Sequence, residues 1–382
     1  MSPDRLPATA LGAGVVKRST RLSDGRELIY YDDPGTRLGP ERRADGRPVV
    51  ERPATAAMRR DVLSGDWITF ATERQNRVLM PSSDADPLAP QSPTNPSEVP
   101  SHYDVAVFEN RSPAFGPALA TAGVDELHDE TALDRSRTSV GRCEVVCFSP
   151  DHTGSFGTQS VTRARTVIEA WADRTAALSA LPGVEQVFPF ENRGEAIGVT
   201  LPHPHGQIYA YPYVTPRTQT LLRSIAADGD DLMTRVLESE QAGERVVLRG
   251  EHWTAFVAFA ARWPLEVQLM PHRHVPDFAA LNDAERDELA PLYLRLLRGV
   301  DALYDSPTPY IAAWHQAPVD VGRDVVRLRL ELTSPRRTAD KLKFLAGSEA
   351  AMGAWTAEIL PEVAAQRLRA AIESVPDPRE LS

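Results

Sequence analysis

Two histidines one residue apart, His203 and His205, stand in the segment ENRGEAIGVTLPHPHGQIYAYP (Glu191 to Pro212), each preceded by proline and followed by a β-rich aromatic run. Side chains alternate faces along an extended backbone, so residues two apart project to one side. Two imidazoles on one face are either metal ligands or a nucleophile with its support. Histidine suits the second task, because its neutral nitrogen is nucleophilic near neutral pH and forms a phosphoramidate that can be passed on. One ring nitrogen must then keep its lone pair while the other donates to a fixed acceptor, for which a carbonyl of the His-Pro-His turn would serve. Gly206 lets the backbone approach a ligand closely, and Gln207 offers an amide to phosphate oxygens.

The elements that must position these residues follow from periodicity. YDVAVFENR, CEVVCFSP, VEQVFPFENRG and GQIYAYP read as strands, and Val161, Arg165, Ile168 and Trp171 share one face of a helix over about 159–180. The two cysteines, Cys143 and Cys147, lie four apart on one strand face, so they read as buried thiols and exclude a four-cysteine zinc site. MPSSDADPLAPQSPTNPSEVP reads as a long proline-rich loop pinned to something.

A second half repeats the first. His152 precedes His205 by 53 residues and His274 precedes Arg329 by 55, while Asn192 to His205 and Gln316 to Arg329 are both 13. An internal duplication explains the agreement. Arg327 and Arg329 occupy the histidine positions of the second copy, so only the first offers an imidazole nucleophile. The resulting division is an N-terminal extension at 1–50, a unit at 51–220 carrying the nucleophile, and a degenerate unit at 221–382.

With 382 residues and 42% hydrophobic content, the chain can bury a large core. Its net charge of −11 argues against nucleic acid as a partner. The absence of a long apolar run argues against a membrane, and the polar N-terminus against a secretory signal, so a cytoplasmic protein is expected.

HPHGQ, preceded by FENRGEAIGVT, resembles the active-site signature of the galactose-1-phosphate uridylyltransferase family, in the histidine-triad superfamily. RRDVLSGDWITFATERQNR, VFENR, CFSPDH, EHWTAFVAFAARWPLEVQLMPHRHV and KLKFLAGSE match further family blocks in order, over roughly residues 20–365. The resemblance implies an α+β fold of two fused histidine-triad-like repeats, forming a largely antiparallel open sheet with flanking helices. It implies uridylyl transfer from UDP-glucose to galactose 1-phosphate by double displacement, with His205 as nucleophile, His203 as its support and Gln207 on the transferring group. Asn192, Gly198, Val199 and Thr200 would line the nucleotide-sugar site, Asn110 the nucleoside pocket, and Arg74 and Arg77 would meet phosphate. Lys343, Phe344, Ser348 and Glu349 would be supplied by the partner subunit of a homodimer.

Departures from the family pattern bear on metals and substrate. Asp86 and Ala89 replace the cysteine pair of the family's zinc site, leaving His152 and His203. Arg327 and Arg329 replace the histidine pair of its second, iron site beside His274. Neither metal is expected, no cofactor is required, and packing is expected to hold the proline-rich loop; the two arginines are expected to pair with a carboxylate such as Glu331 or Glu266. Three alternatives stay open: transfer to another sugar 1-phosphate, a nucleotide phosphorylase or hydrolase of the same superfamily, and a non-catalytic nucleotide-sugar binder.

Overall fold

The structure, a computed structural model, describes residues 4–52, 55–72, 80–117 and 133–381. Twelve strands of the described residues form one antiparallel sheet. In chain order they are β1 (Thr9–Ala10), β2 (Val16–Arg21), β3 (Glu27–Asp32), β4 (Val105–Glu109), β5 (Arg142–Cys147), β6 (Gln186–Arg193), β7 (His205–Tyr211), β8 (Val246–Arg249), β9 (Trp253–Val257), β10 (Leu265–Pro271), β11 (Tyr310–His315) and β12 (Arg329–Ser334). Across the sheet they run β8-β9-β10-β12-β11-β6-β7-β5-β4-β3-β2-β1. The order is mirrored about the β6–β11 junction, where Phe190 pairs with Ala313 and Arg193 with Tyr310. The expected α+β architecture, with its largely antiparallel open sheet, is the one observed.

Helices α1 (Val161–Ser179) and α4 (Asp283–Asp301) occupy corresponding places in the two halves, and each packs against the other. Ser160 caps α1 by accepting from the Arg163 N–H, and Asn282 with Glu285 forms a capping box on α4. Both helices bury their apolar faces on one side of the sheet. Phe148, Phe156, Trp171, Phe278, Tyr293 and Trp314 form a continuous aromatic cluster there. Covering one face leaves the other to carry a site. On β7, Ile208 and Ala210 are buried while His205, Gln207 and Tyr209 on the opposite face are half-buried, the period-two alternation of a strand covered on one side.

The N-terminal extension contributes the β2–β3 hairpin, which adds to the edge of the first half through Leu28–Phe108 and Tyr30–Ala106 pairing. Cys143 and Cys147 are buried on β5 and form no disulfide, as their strand pattern predicts.

Glu191 points from β6 toward the helices and is 4% exposed. Burial pushes its carboxyl up to about 7, against the opposing pull of Arg193, the Tyr310 hydroxyl and the Phe156 N–H. A folded-state value above the usual 4.5 means that the stability it contributes is complete below about pH 4.5 and falls as pH rises through 7, by up to about 3 kcal/mol. Glu191→Gln removes that loss. Urea unfolding at pH 5 and pH 8 is expected to show the variant gaining on the parent at the higher pH, with the two close at the lower.

Candidate active site

A cavity of about 320 Å³ opens on the uncovered face of the first half. Phe190 and Asn192 from β6, His205, Gln207 and Tyr209 from β7, Val145 from β5 and Phe108 from β4 form its floor. Alternation along each strand brings these residues to one face. Asn110, Arg111 and Ser112 follow β4 at one end, and Pro87, Leu88 and Glu98 of the proline-rich loop supply a wall.

Gly198, Val199 and Thr200 line the cavity just after a short 3-10 turn at Glu195–Ile197. Gly198 closes that turn at φ 82, where its N–H donates to the Glu195 carbonyl at 2.8 Å; a side chain would be strained in this left-handed conformation. Thr200 is tied down through its carbonyl, which accepts from the Met80 N–H at 2.7 Å. Arg74 and Arg77 lie outside the described residues, six and three residues before that anchored methionine.

His205 begins β7 opposite Cys147, and its Nδ1 lies 2.8 Å from the His203 carbonyl. Donation from Nδ1 to that carbonyl leaves the lone pair on Nε2, the tautomer a nucleophile needs. The carbonyl comes from the preceding histidine of the same turn. Gln207 has its Oε1 buried without a hydrogen-bond partner, so its amide is uncommitted at that end. Gly206 also lines the cavity, but it answers mainly to packing: a Cβ there would lie 2.8 Å from Phe148 Cζ and 2.9 Å from the Phe190 carbonyl.

His203 does not share the cavity face. It is 2% exposed, with Nδ1 2.7 Å from Asp86 Oδ2 and Nε2 2.8 Å from the Ser149 carbonyl and 3.1 Å from the Tyr103 hydroxyl. His152 Nδ1 approaches the same Asp86 oxygen at 2.9 Å. Burial would push the Asp86 carboxyl up, but hydrogen bonds from His203, the Leu88 N–H and His152 outweigh it and hold it at about 2.

These contacts correct the expectation that packing alone holds the proline-rich loop. Asp86 accepts from both imidazoles and from Leu88, Asn95 donates to the Asp86 carbonyl at 2.8 Å, and Tyr103 donates to the Leu88 carbonyl at 2.7 Å. Buried polar groups need partners, and these residues supply one another. The residues left at the family's zinc position do stand together. Asp86, His152 and His203 bring one oxygen and two nitrogens within 4.8 Å of one another, a donor set that fits a divalent cation with three protein ligands. Ala89 adds no fourth ligand, so among the described residues a closed four-ligand zinc site does not fit.

In the second half, Arg327 reaches the Pro271 and His272 carbonyls at 2.8 Å and the Thr234 hydroxyl at 2.9 Å, rather than the expected carboxylate. Glu331 instead takes Arg217 at 2.7 Å, and Glu266 accepts the Arg262 N–H at 2.8 Å. Burial pulls Arg329 down to about 10, with Glu331 opposing and Arg217 and Arg262 reinforcing the shift. His274 has its Nε2 buried without a partner, close to Arg327. Cations crowd this place, which suits no further cation.

Lys343, Phe344, Ser348 and Glu349 do not line the His205 cavity of their own chain. Lys343 is 2% exposed and donates to the Thr356 and Arg262 carbonyls, the latter at 3.1 Å, with Glu358 at 3.6 Å and Glu349 at 3.8 Å. Phe344 is 74% exposed beside an apolar groove formed by Ile197, Trp263, Ile311 and Leu342. Ser348 and Glu349 lie on the short helix α5 (Gly347–Met352), α2 and α3 being Pro216–Asp228 and Leu232–Gln241. Arg26 and Glu98, both on the cavity wall, escaped sequence reasoning, because their signal is a contact between segments 72 residues apart.

Comparison with known proteins aligns with this geometry. The models of the N-terminal and C-terminal domains of galactose-1-phosphate uridyl transferase match residues 52–215 and 218–378. The galactose-1-phosphate uridylyltransferase of Streptomyces lividans is 49% identical over 335 residues, covering 84% of this chain and 87% of that one. The Thermotoga maritima protein of the same name is 33% identical over 319 residues, covering 82% and 97%. A solved uridylyltransferase structure superposes with a TM-score of 0.73 at 29% identity, over 83% of this chain and 98% of that one.

Asp86→Ala is expected to cost about 3 to 5 kcal/mol at pH 7, because it strips a buried acceptor from two imidazoles and the Leu88 N–H. A carboxyl held below its usual 3.8 contributes stability above that pH and loses it as pH falls toward 2. Denaturant curves of parent and variant should therefore converge on acidification over that window.

Proposed function

Because the chain belongs to the galactose-1-phosphate uridylyltransferase family and is a nucleotidyltransferase, we propose that it transfers uridylyl from UDP-glucose to galactose 1-phosphate by double displacement through His205. The observation that carries this reading is the Nδ1 contact of His205 with the His203 carbonyl at 2.8 Å, at a cavity of about 320 Å³.

In the first half-reaction His205 Nε2 attacks the α-phosphorus, a P–N bond forms, and the P–O bond to glucose 1-phosphate breaks. The hydrogen bond from Nδ1 stabilises the positive charge that the ring gains as its lone pair is donated. The Gln207 amide and the backbone around Gly198 and Thr200 face the phosphate oxygens, and Arg74 and Arg77 supply charge-assisted contacts. In the second half-reaction a phosphate oxygen of galactose 1-phosphate attacks the same phosphorus, the P–N bond breaks, and UDP-galactose leaves. Asn192 and Asn110 hold the nucleotide sugar in line. A divalent cation, where bound, would take Asp86, His152 and His203 as ligands and brace the turn that carries the nucleophile.

That Phe344 is exposed, and that none of Lys343, Phe344, Ser348 and Glu349 lines the cavity of its own chain, supports a homodimer in which this segment completes the partner's site.

Intact-protein mass spectrometry at neutral or alkaline pH tests the chemistry. Protein mixed with UDP-glucose should gain one uridylyl group, galactose 1-phosphate should discharge it, and His205→Asn should gain none. An unmodified parent across a panel of nucleotide sugars sinks the covalent mechanism, and discharge only by another sugar phosphate reassigns the acceptor. The shared site has its own test, since mixing inactive His205→Asn and Phe344→Ala chains leaves half the sites of each heterodimer intact. Activity should recover to about a quarter of the parent level under statistical exchange, whereas a site made by one chain alone recovers nothing.

A further inference from the structure

We propose that the N-terminal β2–β3 hairpin is a working wall of the nucleotide pocket, and that Arg26 is the positioning residue through which it acts. The inference rests on reading the cavity as the seat of a nucleotide donor. The family model begins at residue 52, so this hairpin lies outside the domain by which the chain is recognised. Yet Arg26, at the entry to β3, borders the cavity, and Phe108, which β3 pairs through Leu28, forms part of its floor.

Arg26 is 1% exposed, and its guanidinium joins three separate segments. Nε donates to Asp24 at 2.7 Å, within the hairpin turn; one terminal nitrogen donates to Glu98 at 2.5 Å, on the proline-rich loop; the other donates to the Glu109 carbonyl at 2.8 Å, at the end of β4. Glu98 is also gripped by Arg47, another extension residue, at 3.2 Å. The Glu109 carbonyl immediately precedes Asn110, whose N–H donates to Cys143 and whose side chain caps the Ser112 N–H. Glu98, Asn110 and Ser112 all line the cavity. One buried fork thus sets the spacing between two of its walls.

The register says which part of a ligand those walls meet. Tyr30 is level with Ala106, Ala106 with Cys147, and Cys147 with His205. Arg26 lies four residues further along, about 13 Å at ordinary strand rise. That is the end of the cavity remote from the nucleophile, beside Asn110, and the nucleotide-donor reading puts the nucleoside there. Arginine is the side chain for this task because its planar fork holds three acceptors in fixed directions, which a lysine ammonium on a flexible stem does not.

Calorimetric titration with UDP and with galactose 1-phosphate tests the assignment on the full chain. Arg26→Met is expected to weaken UDP binding by about ten-fold or more and to leave the sugar phosphate within about two-fold, with Arg26→Lys restoring only part of the loss. Arg18→Met is the control: Arg18 lies on the same hairpin, pairs with Asp32 at 2.9 Å and does not border the cavity. It should lower the melting temperature yet bind UDP as the parent does. Equal UDP affinities in the parent and Arg26→Met overturn the proposal, as do equal losses in the Arg26 and Arg18 variants. A parent that binds no UDP overturns both this and the nucleotide-donor reading, which separates the two failures. Should Arg26→Met not fold, Glu98→Gln breaks the same strut from the loop side and is expected to weaken UDP selectively; unchanged affinity there counts against the proposal.

Discussion

Asp86 Oδ2 is the point from which the candidate site is hung. Two imidazoles converge on it, at 2.7 and 2.9 Å, and one of them belongs to His203, whose carbonyl accepts a hydrogen bond from His205 Nδ1. A ring locked by its side chain fixes its own backbone, and that backbone fixes the next functional ring two residues on. The proline between them removes one more torsional freedom. Thus a buried carboxylate outside the cavity fixes the tautomer and direction of the imidazole that lines it. The same carboxylate ties the Leu88 N–H, so the floor and the loop wall of the cavity share one anchor.

How much of this was legible in the sequence depended on the range of the interaction. The alternation of β7, the helix at 161–179 and the face shared by Phe190 and Asn192 are local patterns, and periodicity finds them. The matched ends of His205 and Gln207 follow from a motif within one strand. The Asp86 anchor closes a loop of 117 residues from Asp86 to His203, beyond any local pattern; the family resemblance grouped Asp86 with His152 and His203 as a depleted metal site, but not as the acceptor of both imidazoles. Arg327 misled for a related reason. Guanidinium suggests carboxylate, whereas the fold offered it three neutral oxygens and gave Glu331 to Arg217.

The two halves illustrate how one arrangement of strands can carry unlike sites. β7 and β12 hold corresponding places beside β6 and β11. The first presents His205 and Gln207 to an open cavity; the second presents Arg329 and Glu331, half-buried or buried among Arg217, Arg262 and His315. Burial and neighbouring guanidiniums depress the basicity of Arg329 and His315 alike, and the same positive surroundings disfavour a cation there. Fold therefore sets the places, and side chains decide which place does chemistry.

The β6–β11 junction has a mechanical meaning. Asn192 faces the cavity from a strand that is hydrogen-bonded to β11 through four consecutive residue pairs, Phe190 to Arg193. Hinge motion needs a few backbone torsions free to absorb it, and a ladder crossing the midline of the molecule leaves none there. The sheet acts as a single plate, so one half does not clamp down on the other as a substrate arrives. Selection between ligands must then come from a preformed rim and from short loops at its edge, and the seat that a ligand enters is already shaped before it arrives.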